Sequence, residues 1–432
     1  MNRALRLTAG LAAAALALSA CGGDGDDDTT EPAAEGETAE APEPAELRLW
    51  LNGPDTPQPM RDWLVAEFAE QNPGSTLVIE EQEWEGLVDR LTTSLGSESE
   101  TPDVVEVGNT QAPTFTTVGA FSDITDQVPD LGGDDLLQGF VDAGSWDGKT
   151  YAVPLYAGSS YVFYRKDLFA ASGIEVPTNM QEFVDAAVKL KQDNASVPNF
   201  SGFWLPGQDW RDGAAFLWDA GGDFAVEDGG EWSGALSTPE SQEGLELVQR
   251  LFNEASGAPK DANEADGHIP FCAGEIGMML RPGWLRGQIE DPAIGCPDMI
   301  ANVGVFALPG TDGEPAPVLL GGSNIAISAQ SQNQELSANL LELILSDEFQ
   351  SQYAENGLTP AKVSLADGLG TDEFAAATIE AVTNAKLTPA AANWASVEGS
   401  RVLEDLFVNI ANGGDVQQLA EEADADIATQ LD

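Results

Sequence analysis

Between residues 47 and 107 the apolar positions switch repeatedly between two periods. "LRLWL" at 47–51 is short and apolar enough for a buried strand. Met60, Trp63, Leu64 and Phe68 then recur at the spacing of one helix face, and Asn72-Pro73-Gly74 ends that helix. "TLVIE" at 76–80 predicts a second strand, Leu87, Val88, Leu91 and Leu95 a second helix, and "DVVEV" at 103–107 a third strand. A β-α-β-α-β run implies a parallel sheet with right-handed crossovers.

Later segments continue the pattern. "TYAVP" at 150–154 and "YVFY" at 161–164 each predict a strand. Thr178 and Gln181 read as a capping box before a helix carrying Phe183, Val184, Ala187, Val188 and Leu190. Thr238-Pro239 opens another helix, with proline at its first position. Strands are expected at 275–280, 302–309 and 324–328, and helices through Leu345, over 374–383 and over 402–410. The class is α/β, without a solenoid-type repeat.

The first 46 residues follow other rules. Arg3 and Arg6 precede an Ala/Leu-rich stretch at 7–20, shorter than the roughly 20 residues a membrane span needs. A basic head, a short apolar middle and small residues form a secretory signal. The small residues run directly into Cys21, and "LSAC" resembles the bacterial lipobox. That resemblance implies removal of residues 1–20 and lipidation of Cys21, with two acyl chains giving stable anchoring. Residues 22–46 contain no aromatic, Leu, Ile, Val, Lys or Arg, and their like charges extend them, so they read as a disordered tether.

Composition narrows the partners. Eighteen Lys+Arg against 73 Asp+Glu give a formal net charge of -55, which disfavours nucleic acid and anionic ligands. Roughly 385 residues remain for globular structure, enough for two lobes. Cys272 and Cys296 are an even pair in an exported chain, which favours a disulfide worth roughly 3 kcal/mol over the alternative of two buried thiols. The lone His268 and the absence of a CxxC spacing give no metal site. They also disfavour a Ser-His-Asp hydrolase, and no GxSxG occurs. A glycoside hydrolase needs a carboxylate pair, but acids are too abundant here for any pair to be diagnostic.

Several strings together resemble the extracellular sugar-binding proteins of ABC importers, the maltose-binding-like family, from about Leu47 to the C-terminus. They are "YVFYRKDLFAASGIEVPTNMQEF", "FCAGEIGMMLRPGW", "VGVFALPG", "GGSNIAISAQSQNQELSANLLELILSDEFQSQYAENGLTPA" and "PAAANWASVEG". Arg165 stands where the family usually has Asn. The resemblance implies a periplasmic-binding-protein fold: two α/β lobes, each a mainly parallel sheet flanked by helices, joined by a multi-stranded hinge. By order, one lobe is 47–155 plus 320–367 and the other 156–319 plus 368–432. It further implies a monomer that needs no cofactor, is anchored outside the cell membrane and hands a carbohydrate to a membrane permease. "DVVEVGNTQAPTFTTVGAFSDITD" is similar to actinobacterial binding proteins for N-acetylglucosamine and chitobiose, while other family members bind maltose, cellobiose or trehalose. A peptide or polyamine binder is the alternative reading.

A saccharide needs polar groups for its hydroxyls and flat rings for its C–H faces. In open α/β sheets such groups follow the carboxyl ends of strands. The candidates there are Asn52 and Asp55, then Glu83 and Trp84, then Asn109, Thr110 and Gln111, and finally Tyr156 and Ser159. The resemblance adds stacking residues Trp284, Trp210 beside Asp209, and Trp394, and a glycine turn at Gly321 and Gly322. Arg281 could donate two hydrogen bonds to vicinal hydroxyls but reads first as a surface ion pair, and Trp146, Trp204, Trp218 and Trp232 read as core or loop packing. Three stacking rings favour a disaccharide or longer.

Overall fold

The computed structural model describes residues 42–431, apart from residues 85, 98 and 392. Residues 1–41, including Cys21, lie outside the described residues.

The first three predicted strands form as β1 (Glu46–Asn52), β2 (Thr76–Gln82) and β3 (Val104–Gly108). β1 lies between β2 and β3 and pairs parallel with both. The intervening helices Gln58–Gln71 and Leu87–Leu95 cover opposite faces. Period-two alternation divides the central strand β1 between two cores. Leu47, Leu49 and Leu51 pack with Leu64, Phe68 and Tyr353, while Trp50 faces Leu87 and Leu91.

The segments predicted as two strands at 150–154 and 161–164 are one continuous strand, β4 (Ala152–Arg165). Gly158-Ser159-Ser160 has the composition of a turn, yet its backbone is paired. β5 (Ser201–Trp204), β6 (Ile276–Pro282), β7 (Val303–Phe306), β8 (Leu320–Ile327) and β9 (Thr359–Pro360) complete a nine-stranded mixed sheet among the described residues, in the order β2-β1-β3-β8-β4-β6-β5. The first part of β4 pairs antiparallel with β8, and Ser160–Tyr164 pair antiparallel with β6. β7 and β9 also pair with β4, and β6 with β5 is the parallel pair on that side. β4 therefore leaves one core and enters another. The second core gathers Phe163, Phe183, Phe203, Phe216, Leu251 and Phe407.

The helix Met180–Asp193 starts one residue later than the Thr178–Gln181 box predicts. Asn179 is the extended N-cap, and its Oδ1 accepts the Glu182 N–H at 3.0 Å. Glu182 Oε2 in return accepts from the Thr178 backbone N–H and hydroxyl, both at 2.9 Å. Two donors that would otherwise be orphaned are satisfied reciprocally. Asn179→Ala should cost about 1 kcal/mol of stability, read as a lower urea midpoint at unchanged m-value.

Cys272 and Cys296 are disulfide-bonded with Cα atoms 5.5 Å apart. The bond brackets β6 and the helix Trp284–Glu290 that follows it.

Candidate functional site

The carboxyl ends of β1 and β3 and the middle of β4 converge on a buried carboxyl that the site prediction did not include, Glu106. It stands in the fully buried "VVEVG" of β3. Its Oε1 accepts the Ser323 hydroxyl at 2.6 Å and the Tyr156 hydroxyl at 3.0 Å, and its Oε2 accepts the Asn52 N–H at 2.7 Å. Tyr156 Oη also lies 3.1 Å from Asp55 Oδ2. The single phenolic proton can serve only one carboxyl at a time. Burial raises Glu106 to about 7, with the nearby Asp55 charge adding to the effect and the Ser323, Asn52 and Tyr156 bonds opposing it. Burial also raises Asp55, against the Tyr156 and Trp84 bonds and the charge of Arg61. One cue was legible: a lone Glu amid valines in a strand buried on both faces demands partners.

Trp84 is 38 % exposed and donates its indole N–H to Asp55 Oδ2 at 3.3 Å. Its ring lies over Gly53 and Gly108, where an added Cβ would come within 3.2 Å and 3.5 Å of the indole. Asn52 is fully buried, and its Nδ2 donates to the Glu106 carbonyl at 3.1 Å. Asn109 donates to the Leu320 carbonyl at 3.3 Å, and its backbone N–H to the Gly322 carbonyl at 3.0 Å. Gly322 has φ 141°, and a Cβ there would stand 2.4 Å from the Tyr156 carbonyl oxygen, so only glycine fits this crossing of β8 and β4. Asp55, Asn52, Trp84, Tyr156, Asn109 and Gly322 thus belong to one connected region.

On the second core, Trp210 and Trp394 flank Phe224, with ring centroids at 5.5 Å and 6.2 Å. Both tryptophans are only 1 % exposed. The Trp394 indole N–H donates to Glu398 Oε1 at 2.9 Å. The Arg211 guanidinium lies 4.7 Å over the Trp210 ring and bonds Glu264 Oε1 at 3.0 Å. Trp284 is half-buried and packs against both cores, at the point where they meet. The bland readings of three further tryptophans are compatible with their contacts: Trp204 lies under Arg281, Trp218 bonds Asp223, and Trp232 is half-buried in a hairpin. Trp146 sits on another hairpin, 51 % exposed, rather than packed.

Two expectations change. Arg281 is not a surface ion pair but is 2 % exposed, bonded to Asp209 at 3.2 Å, to Asp212 and to the Glu264 carbonyl at 3.1 Å. Asp209 is 0 % exposed, and its other oxygen caps the helix Trp210–Asp219 by accepting the Asp212 N–H. Its carboxylate is committed within the protein and leaves nothing to offer a ligand. Burial raises both aspartates, Asp212 the more strongly, against the attraction of Arg281. The triad fixes where Trp210 and Arg211 begin their helix.

Several buried polar atoms have no protein partner: the acceptors Asn52 Oδ1 and Gln111 Oε1, the hydroxyls of Ser159 and Thr359, and the donor Trp210 Nε1. Such groups are normally satisfied, so they suit a ligand or water rich in both donors and acceptors.

Residues 53–351 match the family of bacterial extracellular solute-binding proteins. The diacetylchitobiose binding protein DasA of Streptomyces coelicolor is 32% identical over 406 residues, covering 92% of this chain and 91% of that protein. The GacH receptor of Streptomyces glaucescens shares the fold at a TM-score of 0.77 and 21% identity, over 90% of this chain and 98% of that one. The sugar-binding protein MalE of Xanthomonas citri does so at 0.75 and 22%, over 89% and 97%. The fold is therefore the two-lobe α/β fold of the periplasmic binding proteins, and the chain belongs to the family of bacterial extracellular solute-binding proteins.

Proposed function

We propose that this protein captures a di- or oligosaccharide of the N-acetylglucosamine or chitobiose type and delivers it to the permease of an ABC importer. The observation that carries the reading is the relationship to a diacetylchitobiose binding protein along nine-tenths of both chains. The ligand lies between a lobe of 47–155 plus 320–367 and a lobe of 156–319 plus 368–432. The first offers Asp55, Asn109, Tyr156 and the Trp84 ring. The second offers the half-buried Trp284, while Trp210 and Trp394 are enclosed in its core. Closure follows because a ligand touching both lobes favours the closed state by its differential affinity. The protein acts outside the cytoplasm, as a monomer held by lipid on Cys21 through the acidic tether. The relatives are binding proteins rather than enzymes, and the site is one of capture.

The test is calorimetric titration with diacetylchitobiose, N-acetylglucosamine, maltose and spermidine. A ligand at 100 times its dissociation constant should raise stability by about 2.7 kcal/mol. Trp284→Ala should weaken saccharide binding by about tenfold, as the loss of one stacking ring predicts. Heat with spermidine and none with any saccharide would overturn the reading.

A further inference from the structure

The two cores are joined by more than the strands that run between them. Thr110, in the turn after β3, donates its hydroxyl to Glu398 Oε2 at 3.0 Å, across 288 residues of sequence. Glu398 lies in the helix Trp394–Gly399 of the second core. Its other oxygen accepts the Trp394 indole N–H four residues earlier. That bond is internal to one helix and survives any separation of the lobes. The second oxygen is therefore held ready, aimed by its own core, whatever the first core does. Burial raises the Glu398 carboxyl above its ordinary range, against the attraction of Arg211 and the Thr110 and Trp394 bonds. On the Thr110 side, Asn109 fixes the loop by its bond to the Leu320 carbonyl of β8.

We propose that Thr110 and Glu398 form a clasp that closes only when the lobes meet, and that this clasp sets how long the closed state, and any ligand within it, persists. A hydroxyl on a short side chain reaches its acceptor only when the loop arrives within hydrogen-bond distance. The clasp is thus made or broken as a unit, acting on release rather than on capture. Its effect on ligand retention rests on the saccharide reading above. Its effect on the lobes does not.

Two measurements on the expressed chain separate these. Release of labelled diacetylchitobiose, followed by stopped-flow chase, should quicken roughly 5- to 10-fold in Thr110→Val and in Glu398→Gln, with association little changed. Thr110→Ser should restore the original rate, and the double variant should release no faster than the faster single variant. Unchanged release in Thr110→Val, or additive effects in the double variant, would overturn the clasp. If the unaltered chain takes no saccharide, crosslinking decides: a Thr110→Cys, Glu398→Cys chain should trap the met lobes under mild oxidation and give a smaller radius of gyration by small-angle scattering than the unaltered chain, and identical curves would overturn the proposal.

Discussion

Replacing Arg281 by alanine should remove about 3–5 kcal/mol of folding stability at pH 7, because it strands two buried aspartates without their cation. Arg281, Asp209 and Asp212 are at most 4 % exposed at their side chains, so water cannot compensate. The substitution also removes the cation packed 4.8 Å over Trp204. Urea unfolding measures the loss. The deficit should shrink at low pH, where the stranded aspartates are neutral in both folded and unfolded chains. An Arg281→Met, Asp209→Asn, Asp212→Asn combination should recover much of the loss, since a buried ion group is replaceable by neutral groups at small net cost. A loss under 1 kcal/mol in Arg281→Ala would mean that the triad is solvated.

Glu106→Gln should change the pH dependence of stability by about 3 kcal/mol between pH 4.5 and 8. The folded carboxyl titrates near 7 against an ordinary 4.5. Between those values the native chain holds a proton that the unfolded chain has released. The contribution of this group is therefore complete below pH 4.5, declines as pH rises, and is lost above pH 7. A shift of about 2.5 pH units corresponds to about 3 kcal/mol. Glutamine keeps an acceptor for Ser323 and Tyr156 but carries no charge to bury. Its amide meets the Asn52 N–H poorly, a fixed penalty independent of pH. The quantity to follow is thus the difference between the two proteins across pH, which should move in favour of the variant as pH rises. A difference that stays flat would show that Glu106 is ionised in water-like surroundings.

Much of the architecture was legible because periodicity is local. The short apolar runs at 47–51, 76–80 and 103–107 and the intervening helical spacings announced β1, β2 and β3 in the parallel arrangement observed. Pro239 opens its helix where predicted. The break assumed between 154 and 161 did not occur. Gly-Ser-Ser has turn chemistry, but β8 and β9 supply pairing partners from more than 150 residues away. The capping box moved by one residue because Asn179, not Thr178, is the N-cap whose side chain accepts the Glu182 N–H.

The candidate site divides along the same line. Asp55, Trp84, Asn109 and Tyr156 were candidates because strand ends are visible in sequence; the structure joins Asp55 to Trp84 and Tyr156 and ties Asn109 to β8. Glu106 was read as part of a strand, since its partners come from β1, β4 and β8 and none is its neighbour in the chain. Arg281 was read as exposed because nothing near "RPGW" announces Asp209 or Asp212, some 70 residues earlier. The sequence by itself determined the order of most strands and helices and the family, because each depends on local spacing or on a motif. Which charges are desolvated, which tryptophans are enclosed and which loop meets which helix were decided only by tertiary structure, because desolvation is set by the surfaces that fold against a group and not by its neighbours along the chain.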